Sequence, residues 1–165
     1  MIAVSNTTPL RYLIALEQEQ LLPRIFEKIF VPPEVHEELT KMQTPERVRR
    51  LVRSLPGWYE VREVRGAPTA PFPATLHRGE RQAILLAEDL KPDFVLIDER
   101  VGRAVALRQN LPVSGTLGVL ERADVLGLVH DFPGLLTKLK TCGFFISTAL
   151  ELEVLLRHGR RRETR

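Results

Sequence analysis

The sequence Met1-Ile-Ala-Val-Ser-Asn-Thr-Thr-Pro-Leu10 combines a short apolar run, a polar corner and a Thr-Pro helix start. The apolar run predicts a buried strand over residues 2–5. Thr8-Pro9 predicts the cap and first turn of a helix that reaches about Leu16. Asn6 therefore lies at a strand-to-helix corner. In an open parallel sheet, such corners face the crevice where ligands bind, so this segment predicts the position of a site as well as a fold class.

The rest of the chain repeats the same order of strand and helix. Further strands are predicted at 28–31, 94–98 and 112–114, and residues 58–64 predict an edge strand or an extended connection. Helices are predicted at 18–26, 32–42, 44–56, 79–90, 99–109, 116–126, 133–141 and 147–157. Because strands alternate with helices, we expect an α/β fold with a mainly parallel sheet and helices on both of its faces.

The composition predicts one globular domain over residues 1–165, with 44% apolar and 27% charged residues. No apolar run approaches the roughly 18 residues that span a membrane, and no signal-peptide pattern precedes the first strand, so we predict a cytoplasmic protein. Residues 66–73 contain three prolines and predict a surface loop rather than a domain boundary. At the C-terminus we expect a helix at about 147–158, with a Thr148/Glu151 capping box and Gly159 as its stop, and a basic tail at 159–165.

The basic residues are mostly arginine, since only five of the 24 are lysine. Arginine suits bidentate contact with phosphate, although codon bias in a GC-rich or thermophilic genome predicts the same composition. Positive charge concentrates at residues 41–65 and 158–165. Such stretches favour polyanionic partners through counterion release, and a solvated helix face or a disordered tail explains each of them equally well.

Cysteine and histidine are too sparse for a soft metal site. The single Cys142 excludes an internal disulfide and a cysteine-based zinc site, which leaves oxygen ligands or histidine for any metal. The four histidines are scattered along the chain, and we expect them to be surface residues or satisfied core residues.

Two glutamates are predicted to lie on the buried faces of their helices. Glu38 falls between the apolar positions Val35, Leu39 and Met42, so it points with them towards the core. Glu80 shares a face with the buried positions of the helix at 79–90. A first-turn acid also interacts favourably with the helix dipole, which is the alternative explanation for Glu80.

A third acidic segment is Asp98-Glu99, which follows a continuous apolar strand and precedes a helix. It is therefore predicted at the same edge of the sheet as Asn6. For Asp98 alone, capping of the helix is the better explanation, and the company of Glu38, Glu80 and Asn6 is what favours a site. Carboxylates that converge in one crevice cannot all stay ionised without a cation, and an oxygen-rich pocket suits Mg²⁺ or Mn²⁺. Such ions activate water and neutralise phosphate charge during phosphodiester hydrolysis.

The chain carries five motifs in a fixed order: Val4-Ser-Asn-Thr-Thr-Pro-Leu10, Val31-Pro-Pro-Glu-Val-His-Glu-Glu-Leu39, His77-Arg-Gly-Glu-Arg-Gln-Ala-Ile84, Val95-Leu-Ile-Asp-Glu-Arg100 and Val113-Ser-Gly-Thr-Leu-Gly-Val-Leu120. Together they resemble the PIN-domain family, the fold of prokaryotic VapC-type toxin ribonucleases, and within it a branch known only as a domain of unknown function. The resemblance covers nearly the whole chain. It implies a three-layer α/β/α sandwich with an acidic pocket at the carboxyl ends of the strands, and cleavage of single-stranded or structured RNA with Mg²⁺ or Mn²⁺.

The resemblance also assigns the site. In chain order, the family's four acidic positions fall on Asn6, Glu38, Glu80 and the Asp98-Glu99 pair, whose register stays open by one residue. Thr7 and Thr116 occupy positions where family hydroxyls hold a water or a phosphate. Asn6 departs from the family's aspartate: an amide oxygen can ligate Mg²⁺, but the pocket loses one negative charge.

Two functions follow as alternatives. The first is a metal-dependent endoribonuclease, the toxin of a toxin–antitoxin pair, with RNA as substrate and an antitoxin protein as partner. The second is a non-catalytic PIN-like module that binds RNA or protein and has a weakened metal pocket. Relatives commonly form homodimers, to which Leu152, Leu155 and Leu156 of the last helix can contribute. The turn at 115–118 lacks the Gly-Lys-Ser/Thr of a P-loop, which argues against nucleotide hydrolysis.

Overall fold

The computed structural model describes residues 1–163, and within them five strands form one sheet. The strands are β1 (Ile2–Ser5), β2 (Lys28–Val31), β3 (Tyr59–Val61), β4 (Phe94–Leu96) and β5 (Val113–Ser114). All neighbouring strands are parallel, in the order β3-β2-β1-β4-β5. The predicted parallel α/β sheet is therefore confirmed, and residues 58–64 do contribute an edge strand.

Helices occupy the connections between the strands, and within residues 1–163 three more follow the last strand. They are α1 (Thr7–Ala15), α2 (Leu22–Ile25), α3 (Pro33–Thr40), α4 (Glu46–Arg53), α5 (Arg78–Leu90), α6 (Arg100–Arg108), α7 (Thr116–Val125), α8 (Phe132–Thr141) and α9 (Thr148–Glu163). A 3-10 turn at Glu19–Leu21 precedes the single-turn α2, so the helix predicted at 18–26 is interrupted. None of the helices in residues 1–163 is long and apolar enough to cross a membrane.

The sheet is buried on both faces, as expected for parallel strands. On one face Val4, Phe30 and Val95 form a core with apolar side chains of α5 and α6. Ala3 and Leu96 alternate to the other face and are also fully buried. Burial of one large apolar side chain stabilises the fold by about 1.5–3 kcal/mol, and both faces contribute, which gives the predicted three-layer α/β/α sandwich.

The strand order fixes the position of the site. The chain runs from β1 outward to β3 on one side, and then returns to place β4 on the other side of β1. The order of connection therefore reverses between β1 and β4, and ligands of such sheets bind at the carboxyl ends of the strands beside this reversal. Asn6 follows β1 directly, and its backbone N–H donates to Leu96 O of β4 at 3.1 Å.

Two predictions for the helix containing Glu38 need correction or refinement. The helix ends at Thr40, so Met42 lies beyond it and is 77% exposed rather than part of the apolar stripe. Val35 and Leu39 are fully buried, as predicted. Glu38 itself is only half-buried, because it lies at the margin of the stripe and reaches a cleft instead of the core.

The described chain forms two compact units, Met1–Thr116 and a second that starts at Leu117, so the single domain over 1–165 stays a prediction. In the second unit, Gly159 lies inside α9 and does not end it. The helix is capped by Ser147, whose hydroxyl accepts the Leu150 N–H at 3.3 Å, so the capping box at Thr148 was wrong. The predicted basic tail is helical to Glu163, and residues 164 and 165 lie outside the described residues.

Ion pairs within this second unit explain why α9 continues. Asp124 Oδ2 contacts His158 Nδ1 at 2.9 Å and Arg161 Nη1 at 3.1 Å. Arg157 donates two hydrogen bonds to Glu121, at 2.9 and 3.1 Å. These contacts favour helix through residues 157–161 over the break that a glycine at this position favours. His158 is thus a satisfied, buried histidine, as expected from the sequence.

Candidate functional site

A cleft of about 380 Å³ opens at the carboxyl ends of the strands within the first unit. Its lining includes four of the five acidic-site candidates and one of the two candidate hydroxyls: Asn6, Thr7, Glu38, Glu80 and Glu99. The remaining lining residues are His77, Arg78 and Gly79. Asp98 and Thr116 are not part of the lining. Segments that lie far apart in the sequence therefore meet where the resemblance implied that they would.

Asn6 and Glu99 are joined by a direct hydrogen bond. Asn6 is 3% exposed, and its Nδ2 donates to Glu99 Oε2 at 2.7 Å. The Thr8 hydroxyl donates to the other Glu99 oxygen. Asn6 Oδ1 is buried and accepts no hydrogen bond from the residues that the structure describes. Both Glu99 carboxylate oxygens therefore accept a hydrogen bond, whereas the side-chain oxygen of Asn6 has no donor among the described residues.

Glu38 is held by α1 and by the first turn of α5. The Thr7 hydroxyl donates to Glu38 Oε2. A Cβ atom at Gly79 would lie 3.1 and 3.2 Å from the two Glu38 oxygens, so the absent side chain at Gly79 is what lets the carboxylate approach the helix. The Glu38 carboxylate therefore lies beside the first turn of α5.

Glu80 both caps α5 and faces the cleft. It is 4% exposed, and its Oε2 accepts the His77 N–H at 3.0 Å, which is the capping role considered as an alternative. Its Oε1 is buried and has no hydrogen-bond partner among the described residues. Burial raises the pKa of Glu80, and the negative charge of Glu99 raises it further, while the backbone N–H groups of His77 and Gly102 oppose the shift. The Gly102 N–H is therefore close to the Glu80 carboxylate, although it makes no hydrogen bond of normal geometry with Oε1. The two explanations for Glu80 are therefore compatible.

Asp98 belongs to a different contact. Its carboxylate accepts the Thr116 backbone N–H at 2.8 Å and the Thr116 hydroxyl at 2.6 Å, which ties the end of β4 to the start of α7. A Cβ atom at Gly115 would lie 2.5 Å from Asp98 Oδ1, so glycine is required for this close approach. The structure places the two candidates of this open register differently: Glu99 lines the cleft, and Asp98 joins two elements beside it.

The titration of Asp98 yields a prediction for stability. Burial raises the pKa of Asp98 from its ordinary 3.8 to about 6, against the opposing effect of the Thr116 hydrogen bonds. The folded protein therefore binds this proton more tightly than the unfolded chain does. By linkage, Asp98 contributes stability that is fully present below pH 4 and is lost as the pH rises through about 6.

We expect the Asp98→Asn variant to lack this loss. The free energy of unfolding of the wild type, relative to the variant, should fall by on the order of 1–3 kcal/mol between pH 4 and pH 7, as measured by thermal or urea unfolding in chelator. Asp89→Asn on the exposed face of α5 is the matched control and should keep the wild-type pH profile. A difference between wild type and Asp98→Asn that does not change with pH would contradict the prediction.

Four positions at or beside the cleft were not proposed as site residues by sequence reasoning: Thr8, His77, Arg78 and Gly79. Thr8 looked like a helix cap because Thr-Pro is a common helix start, and only the fold brings it to Glu99. Arg78 is 77% exposed at the cleft and pairs with Glu34 at 3.0 Å. The sequence His77-Arg-Gly-Glu80 did carry a signal for Gly79, since a glycine at the start of a helix can mark a place where another group approaches the backbone closely.

The donor set fits a hard cation in one specific way. Within residues 1–163, no three carboxylate, imidazole or thiol groups come close enough together to ligate one ion by themselves. Mg²⁺, however, usually binds one or two protein carboxylates and keeps several waters. The unpartnered, buried oxygens of Asn6 and Glu80 match that requirement, because such atoms are costly unless something donates to them or binds them.

Comparison with known proteins agrees with this geometry. The DUF3368 family profile, described as a PIN domain, matches residues 2–160. The chain belongs to this family of PIN domains. PIN domains are generally nucleases, typically use a divalent metal and generally bind RNA.

One solved structure similar to this PIN domain is a PilT N-terminus domain protein from the hyperthermophilic archaeon Sulfolobus solfataricus P2. The two share 16% sequence identity with a TM-score of 0.55, over 79% of this chain and 97% of that one. At this identity the likeness shows the fold alone. No curated protein sequence matches this PIN domain significantly.

Proposed function

We propose that this PIN domain is a metal-dependent endoribonuclease that hydrolyses RNA phosphodiester bonds in the cleft at the end of β1 and β4. One observation carries the proposal. The fold gathers Glu38, Glu80, Glu99 and Asn6 at the reversal point of the sheet, and leaves one buried oxygen on each of Asn6 and Glu80 without a partner. A structural role alone does not require these side chains to line one cleft with two of their buried oxygens unpartnered.

Asn6 and Glu80 are the residues that would hold Mg²⁺ or Mn²⁺, with Glu38 and Glu99 completing the negative field around it. A bound ion of this kind lowers the pKa of water and neutralises charge on a phosphate. Burial and the neighbouring Glu99 raise the pKa of Glu80 in the absence of a metal, and an ion held at this carboxylate would oppose both effects and keep the carboxylate ionised. Thr7 holds Glu38 in place through its hydroxyl, so the carboxylate keeps its orientation towards the cleft.

Arg78 supplies the positive charge that an acidic cleft needs to attract a polyanion. It lines the cleft, and its side chain is 77% exposed with one ion pair, to Glu34. A guanidinium in this position can exchange that exposed pair, which is worth little in water, for a bidentate contact with a phosphate. RNA as the substrate fits this arrangement, and Thr116 is assigned no contact with it because its hydroxyl is bound to Asp98.

The biological setting is part of the same proposal. We propose that the enzyme acts in the cytoplasm as the toxin of a toxin–antitoxin pair, with an antitoxin protein and a second copy of the chain as partners. The exposed apolar residues of α9 support a protein partner, since Leu152 and Leu156 are 59% and 53% exposed.

Metal-dependent cleavage is the direct test. We expect millimolar Mn²⁺ to support cleavage of a mixed pool of RNAs, to lose this effect on addition of chelator, and to raise the Tm by roughly 2–10 °C through binding to the folded state. Gel analysis of the RNA and a thermal-unfolding scan give the two readouts on the same sample.

The alternative function is a non-catalytic module that binds RNA or protein. Two features support this alternative: Asn6 is neutral, and both Glu99 oxygens already accept hydrogen bonds from Asn6 and Thr8, so neither group requires a metal ion. The same experiment separates the two functions. If Mn²⁺ neither raises the Tm nor supports cleavage, the nuclease proposal fails, and retention of RNA in a binding assay would then identify the module.

A further inference from the structure

The two ends of the Asn6 side chain face different surroundings. Nδ2 donates to Glu99 Oε2 at 2.7 Å, and Oδ1 faces no donor among the described residues. With the residue 3% exposed, bulk water does not replace either contact freely. An aspartate in this position would instead place two negative carboxylates at hydrogen-bond distance from each other, with no donor between them.

Glu99 is held entirely by neutral donors from the start of α1. Asn6 binds one of its oxygens, and the Thr8 hydroxyl binds the other. Hydrogen bonds to an ionised carboxylate are among the stronger ones in proteins, and two of them fix its position. Arg78, the arginine in the cleft lining, pairs with Glu34. The geometry of Glu99 therefore does not depend on a positive charge.

We propose that the Asn6 amide is the positioning group of Glu99, and that it takes the place which a cation would otherwise hold beside this carboxylate. The cleft then keeps its arrangement before any ion binds. Asn6 Oδ1 and Glu80 Oε1 are then the oxygens available to ligate an ion. Glu99 does not ligate the ion itself but orients Asn6 through their hydrogen bond. This last point rests on the proposed function, whereas the pairing of Asn6 with Glu99 does not.

The proposal predicts that the residue at position 6 decides whether folding depends on divalent metal. In chelator, the Asn6→Asp variant should lose on the order of 5 °C or more in Tm, because a buried carboxylate loses its donor and gains a like charge. Millimolar Mn²⁺ should raise the Tm of this variant by more than it raises the wild-type Tm. Gln43→Glu, the same amide-to-carboxylate change on an exposed residue outside the helices, is the matched control and should leave the Tm and its response to Mn²⁺ at wild-type values.

Exchanging the amide and the carboxylate between positions 6 and 99 tests the hydrogen bond between them specifically. The double variant Asn6→Asp/Glu99→Gln keeps one amide and one carboxylate of the original lengths. The amide at 99 can donate to the carboxylate at 6 and still accept from Thr8. We expect its Tm in chelator to return to within about 2 °C of the wild type, a non-additivity typical of directly paired residues.

The outcomes are separable from the fate of the nuclease proposal, since the Tm in chelator requires neither RNA nor metal. A wild-type Tm for Asn6→Asp, or a double variant no more stable than Asn6→Asp, would overturn the pairing. If Asn6→Asp does not fold, a folded double variant supports the pairing and an unfolded one overturns it. Rescue by the exchange without any response of Asn6→Asp to Mn²⁺ would retain the pairing and overturn the assignment of the ion to Asn6 and Glu80.

Discussion

Glu80→Gln is expected to reduce RNA cleavage by about 100-fold or more while leaving the Tm within a few degrees of the wild-type value. Removal of one charged group from a preorganised site typically costs factors of 10² to 10³ in rate. Glu80 is 4% exposed, and its Oε1 is one of two buried oxygens on cleft-lining residues that no described residue satisfies. Glutamine has the same length but carries no negative charge and cannot transfer a proton.

The fold should tolerate this change because glutamine retains the structural contact. Its amide oxygen can still accept the His77 N–H that Glu80 Oε2 accepts at 3.0 Å. The change also removes the repulsion between Glu80 and Glu99 that raises the pKa of Glu80. Glu80→Ala, in contrast, removes the acceptor altogether and should lower the free energy of unfolding by about 1 kcal/mol or more, as the loss of a helix cap does.

Glu46→Gln is the matched control, because Glu46 is also a first-turn acid of a helix but is exposed and lies outside the cleft. This variant should cleave RNA at the wild-type rate. Initial rates in Mn²⁺ and thermal scans in chelator provide the comparison. A large fall in Tm for Glu80→Gln, or an unchanged cleavage rate, would show that Glu80 serves as a helix cap and not as part of a reactive site.

The architecture was predictable from the sequence because each strand and helix carries a local signal. Short, mostly apolar runs such as Ile2–Ser5, and Pro32-Pro33 at the start of α3, specify the elements, and short connections between them leave few topologies. The position of Asn6 at the sheet edge follows from the same local pattern. The end of α9 did not follow, since Gly159 lies in a helix whose persistence depends on ion pairs with α7.

The composition of the site was predictable only in part. Periodicity indicated that Glu80 faces inward. It could not tell which of Asp98 and Glu99 enters the cleft, because the directions of two adjacent side chains beyond a strand end depend on tertiary packing. In the structure Thr116 donates two hydrogen bonds to Asp98 and holds it beside the cleft. A contact between residues 18 positions apart has no local signature in the sequence. The hydrogen bond from Thr8 to Glu99 could not be predicted from the sequence for the same reason.

Gly102→Ala is expected to reduce cleavage at least about 10-fold, although residue 102 is in α6 and contributes no chemical group. A Cβ atom at this position would lie 2.5 Å from Glu80 Oε1 and 2.9 Å from Ile97 Cγ2. The Ile97 side chain is fully buried and cannot move away freely, so the Glu80 carboxylate must shift instead. A displacement of this size is enough to disturb catalysis, because reacting groups must be held to within about 0.5 Å.

The stability of Gly102→Ala reflects two opposed effects. Alanine favours a helix over glycine by roughly 0.5–1 kcal/mol, whereas overpacking of a filled core costs about 1–3 kcal/mol. We therefore expect a lower Tm by a few degrees. Gly159→Ala is the matched control: it is also a helical glycine, but a Cβ atom there meets nothing within 4 Å, so its Tm should rise by roughly 1–4 °C at an unchanged cleavage rate. Wild-type cleavage by Gly102→Ala would mean that the position of Glu80 Oε1 does not matter for the reaction.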